Sequence, residues 1–193
     1  MIAQLTHPDY RIRLNAVVVL GHSREPHVIP ALLDALREYD PHDESSRVNT
    51  CASDALAKIG EPALLPLIAA LHERRDHPND AWRRSWVADA LGMLGDPRAV
   101  EPLVMALDDV DVRESAAEAL GRIGDIRVLE ALERLLPVPQ ATEQAAIVSQ
   151  VAWAIRQIRA LHSLPIASAH EAQRDLLISL LGIADLSDRA EPV

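Results

Sequence analysis

Two His-Glu steps, His72-Glu73 and His170-Glu171, put an imidazole beside a carboxylate, and both are donor types that hold transition metals. Eight histidines are spread along the chain, and no second ligand step stands at a fixed interval from either pair, so each step reads as a solvated helix face. Cys51 is the only cysteine. A lone thiol cannot build a disulfide framework or a cysteine zinc site, and Cys51 reads as a small helix-face residue rather than a nucleophile. The chain has no glycine-rich phosphate loop and no Gly-x-Ser-x-Gly elbow. The side chains left with chemical reach are tryptophans (Trp82, Trp86, Trp153), arginines and carboxylates. These are groups that recognise a partner rather than break a bond.

The elements that position them must be helices. Nearly half of the 193 residues are apolar, yet there is no Phe and only three Trp and two Tyr. A core of Leu, Ile, Val and Ala suits thin layers of closely packed helices. The formal net charge of −10 opposes binding to a nucleic-acid backbone or an anionic membrane, which both need positive charge. The first residues lack a basic stretch followed by a long apolar run, and no stretch of about 18 uncharged apolar residues occurs. A cytoplasmic, reducing location is the expectation.

Aligned on one position, the chain repeats five times, at Gly21, Ala57, Gly92, Gly121 and Arg156. Intervals of 36, 35, 29 and 35 between these anchors mark stacked helical pairs. Counting back from the anchor, apolar residues recur one, four or five, and nine positions earlier, as in Leu120, Ala117, Ala116 and Val112 or Leu20, Val17, Ala16 and Ile12. That is the buried stripe of an amphipathic helix. Three residues past the anchor stand Gly60, Gly95 and Gly124, placed to end the helix in a left-handed cap. Pro26, Pro62 and Pro97 then open the next helix. A second proline, Pro30, Pro66 or Pro102, is expected inside that helix, bending its axis. Helices are expected near 9–22, 26–38, 44–59, 62–75, 79–94, 97–108, 110–123, 126–136, 141–162 and 169–183. They group into units 1–24, 25–60, 61–95, 96–124 and 125–162, a capping helix 169–183 and a flexible tail 184–193, with 1–183 forming a single domain.

The run from Asp96 through Pro102-Leu103, followed by Val112-Arg-Glu-Ser-Ala-Ala-Glu-Ala-Leu-Gly-Arg-Ile-Gly-Asp125, resembles bacterial HEAT-like repeats of the phycobilisome-lyase type. His7-Pro-Asp-Tyr-Arg-Ile-Arg13 resembles the loop and helix start of the same motif. The resemblance covers roughly residues 1–160. It implies an all-α fold, a right-handed α-α superhelix of about five helical pairs. It also implies that Arg13, Arg84 and Arg113 form a structural ladder, each bonding an acidic residue or carbonyl in the adjoining unit. HEAT-type deoxyhypusine hydroxylases bind iron through His-Glu steps just after this arginine position. Here those places hold Leu14-Asn15, Thr50-Cys51, Ser85-Trp86, Glu114-Ser115 and Ser149-Gln150, so that activity is not implied. No metal and no cofactor is expected.

The second helix of each pair lines the concave side in this family. Residues three, seven and ten before the anchor face away from the apolar stripe. They are Arg11, Leu14 and Val18; Arg47, Thr50 and Asp54; Trp82, Ser85 and Asp89; Asp111, Glu114 and Glu118; Ala146, Ser149 and Trp153. Trp86 is one turn along from Trp82. Two tryptophans and five carboxylates on one face suit a protein partner of basic or amide-rich character. The competing reading folds the tryptophans back onto the solenoid. A non-catalytic scaffold gripping a partner in its groove is the function expected. The alternative is a bilin lyase or isomerase subunit acting on a chromophore-carrying protein.

Overall fold

The helices begin and end where backbone chemistry demands it. The Asp9 carboxylate accepts from the Arg11 N–H at 2.9 Å and caps α1 (Tyr10–Ser23). Asp96 and Asp125 receive Arg98 N–H and Arg127 N–H, each at 2.9 Å, and open 3₁₀ turns over Pro97–Ala99 and Ile126–Val128. The structure, a computed structural model, describes residues 1–36, 46–74, 79–135 and 144–162. The expected capping helix 169–183, with His170 and Glu171, and the tail 184–193 lie outside the described residues.

After α1 come α2 (Ile29–Ala35), α3 (Ser46–Ile59), α4 (Glu61–His72), α5 (Asp80–Leu94), α6 (Val100–Ala106), α7 (Arg113–Ile123), α8 (Leu129–Glu133) and α9 (Gln144–Leu161). Short 3₁₀ turns at Ile2–Thr6, Pro26–Val28, Pro97–Ala99 and Ile126–Val128 complete the set, and the described residues contain no strand. The helices stack in two rows. One row is α1, α3, α5, α7 and α9, each packed on the next; the other row begins α2, α4, α6, with α8 packed on α9. The fold is an all-α superhelix of helical pairs, as the period predicts. Leu91 and Leu120, one residue before their anchors, are fully buried between the rows.

Gly95 and Gly124 end their helices in the expected left-handed cap, with φ of 69° and 75°, but Gly60 does not: at φ 86° and ψ −145° it lies outside that region and stands as the N-cap of α4. In the first unit this place is held by Arg24 at φ 52°, the one non-glycine with positive φ among the described residues. The prolines need a correction. Only Pro66 lies inside an α-helix. Pro30 stands in the first turn of α2, and Pro102 is the third residue of α6. The preceding 3₁₀ turn takes up the earlier residues, so both prolines fall in the first turn of their α-helices rather than in the interior.

The apolar stripe is also interrupted once. Nine residues before the anchor, Val48 and Val112 are buried, but α5 has Arg83 there, 2% exposed. Its guanidinium reaches the Glu73 carbonyl at 2.8 Å and Asp80 at 3.1 Å, so it is buried with partners.

Candidate functional site

The glycine anchors explain how the first row is built. A Cβ on Gly21 would stand 2.5 Å from Ala55 Cβ, and one on Gly92 or Gly121 would stand 2.7 Å from Ala119 Cα or Ala154 Cα. Glycine facing alanine lets successive helices approach backbone to backbone. The residues two before the anchor (Ala55, Ala90, Ala119, Ala154) are all buried. That recurrent alanine was visible in the repeat, though its partner was not.

The open side of this row carries the residues three, seven and ten before each anchor. Arg11 and Arg47 are exposed at one end, where the Arg11 guanidinium sits 5.8 Å from the Tyr10 ring centre. The three tryptophans differ. Trp82 is 49% exposed. Trp86 is half-buried against the core, and its indole nitrogen is enclosed. Trp153 packs on the core too, its ring lying 2.8 Å from where a Gly121 Cβ would be. Of the three tryptophans only Trp82 is largely exposed, while α9 turns Trp153 toward the seam with the preceding helix.

The carboxylates divide as well. Lys58 pairs with Asp54 along α3. Arg122 pairs with Asp89 across the α5–α7 seam and with Glu118 at 2.8 Å on its own helix. Asp111 and Glu114 are exposed and make no ion pair among the described residues. The i,i+4 spacing of Asp54 to Lys58 and of Glu118 to Arg122 is a sequence signal for this neutralisation.

Asp111 is placed by a loop gripped from two sides. Arg113 donates to the Leu107 and Asp108 carbonyls at 2.6 and 3.5 Å. From the preceding unit, Arg84 pairs with Asp109, and the Ser85 hydroxyl donates to the Asp111 carbonyl at 3.3 Å. Arg74 adds a second cation to Asp109 at 2.9 Å, and Arg84 also meets Asp80 at 3.0 Å. Arg13 donates to the His7 and Pro8 carbonyls at 2.7 and 2.9 Å. The expected ladder thus crosses between units at Arg84. Among the described residues, Arg13 and Arg113 hold the loop that leads into their own helix. The reason is reach: a guanidinium in the first turn meets the carbonyls of the chain just before it.

Burial alone would raise the Asp109 carboxyl. The Arg84 hydrogen bond, the Asp111 N–H and the charges of Arg84 and Arg74 outweigh it and hold the group below its ordinary range. Asp96 and Asp125 are lowered chiefly by hydrogen bonds from Arg98 and Arg127. Among the described residues no three His, Cys, Asp or Glu side chains gather to hold a metal ion. No helix among them is long and apolar enough to cross a membrane.

The family model for HEAT repeats matches residues 1–92, 42–111 and 68–152 in overlapping placements. The chain belongs to the HEAT-repeat family. No curated protein matches it. Among solved structures, the complex of CpcE and CpcF of phycocyanin lyase from Nostoc sp. PCC7120 is similar, with a TM-score of 0.55 and 26% identity over 96% of this chain and 70% of that one. A HEAT-repeat chain of the lyase type is therefore what the repeat motif of residues 96–125 had implied.

Proposed function

We propose that this HEAT-repeat chain is a protein-interaction scaffold that holds its partner on the open side of the first helix row, centred on Trp82. The observation that carries the reading is local. A half-exposed indole on α5 stands one turn from Ser85, which bonds the backbone of Asp111, and Asp111 and Glu114 form no ion pair there among the described residues. A rigid aromatic face beside two exposed carboxylates suits a lysine or arginine side chain of a protein partner. Extended solenoid surfaces serve such binding by their shape. The test is affinity capture with wild type and with Trp82→Ala as bait. A partner retained by the first and lost by the second, with unchanged melting, supports the reading; equal capture by both sinks it.

The similarity to the phycocyanin lyase complex favours a second reading, a subunit that acts on a chromophore-carrying protein. Mixing the purified chain with a bilin and a bilin-free acceptor protein distinguishes the two. Stable colour transferred to the acceptor supports the lyase reading, and an unchanged spectrum leaves the scaffold.

A further inference from the structure

Along the first row each helix presents a stripe to the next, at the anchor and at four and eight residues before it. In α1, α5 and α7 the stripe ends in the glycines that meet Ala55, Ala119 and Ala154. The α3 stripe is Asn49, Ser53 and Ala57. Its anchor is alanine, so the backbone cannot close on α5 as it does elsewhere, and the α3–α5 contact is the thinnest of the row. This seam is polar as well. Asn49 is fully buried, and among the described residues neither its amide nitrogen nor its oxygen has a hydrogen-bond partner. Ser53, also fully buried, donates to the Trp86 carbonyl at 3.0 Å. The Trp86 indole N–H is enclosed without an acceptor among the described residues.

We infer that the α3–α5 seam is the joint at which the superhelix opens, with the helical pairs on either side moving as blocks. Opening this seam hydrates polar groups that are buried unpaired when it is shut, and that gain offsets lost contact. Opening the α5–α7 seam would break the Arg84–Asp109 and Arg122–Asp89 pairs, and opening the α7–α9 seam exposes the packed Gly121, Ala154 and Trp153 surface, so neither gains by hydrating an unpaired group. Arg47 on α3 and Trp82 on α5 stand on opposite sides of the joint, so a partner touching both would clamp it. This goes beyond partner binding and does not depend on it.

Thiol labelling tests the joint in the full chain, in a Cys51→Ala background. Ser53→Cys reports on the α3–α5 seam. Ala88→Cys and Ala117→Cys occupy the same repeat position in the next two seams, and all three native side chains are fully buried. Under native conditions a small maleimide should label Ser53→Cys about tenfold or more faster than the other two. Adding Asn49→Leu should slow Ser53→Cys about tenfold and leave Ala88→Cys unchanged. Equal rates at the three positions, or a parallel change at all three, overturn the proposal. On the otherwise native chain, Asn49→Leu should raise the melting temperature, and a fall overturns it independently of the cysteine variants.

Discussion

Asp109 joins two units through one carboxylate, and its chemistry sets how this junction responds to acid. The side chain is 10% exposed and faces Arg84, itself 7% exposed. Removing the charge leaves a buried guanidinium with Asp80 alone, so Asp109→Asn should cost about 3 kcal/mol in a denaturant melt at neutral pH. The folded carboxyl titrates below its unfolded value of about 3.9, so its stabilisation is complete above that value and is lost as pH falls through the folded one. The wild type should therefore lose more stability than Asp109→Asn between about pH 5 and pH 3. Parallel losses in the two proteins would show that Asp109 does not carry the effect. Arg24 is the converse case, a left-handed residue where its counterparts are glycines. Arg24→Gly should raise stability by about 1 kcal/mol, read as a shifted urea midpoint. No shift would mean that the side chain repays the strain elsewhere.

At the scale of the helix, the anchor glycines show which of two opposing effects prevails. Gly92→Ala improves helix propensity by about 1 kcal/mol. It also puts a methyl 2.7 Å from Ala119 Cα, a backbone neighbour that cannot turn aside. Separating α5 from α7 should cost about 1–3 kcal/mol beyond that gain, so the expected net result is a lowered melting temperature. A raised one would show that the two helices slide apart freely. Gly60 makes a useful contrast, since a Cβ there meets nothing within 4 Å and only its φ of 86° resists substitution.

For the whole molecule, the binding face and the packed stack must be told apart by paired measurements. Trp82→Ala should weaken partner binding by about 2 kcal/mol with little change in melting temperature. Trp153→Ala removes a ring that closes the α7–α9 seam and should lower stability by about 2–3 kcal/mol. If Trp82→Ala destabilises the fold and Trp153→Ala does not, the roles assigned to the two rings are reversed. Partner association should weaken with salt only modestly, because Lys58 and Arg122 already neutralise Asp54, Asp89 and Glu118, and Asp111 and Glu114 remain.

The repeat, the helix row each segment joins and the glycine caps at Gly95 and Gly124 were legible in the sequence, because they rest on contacts within one turn or on a period. Leu91 and Leu120 could be placed in the core by their distance from the anchor alone. Where neighbouring helices meet depends on their stagger, and no local pattern encodes that. So the pairing of Arg122 with Asp89, the turn of Trp153 toward a seam, and the reach of Arg84 to Asp109 were decided by tertiary packing. Arg83 is the sharpest instance. Its charge argues for solvent, yet it occupies a core position because the Glu73 carbonyl, at the end of α4, reaches it there beside its own helix's Asp80.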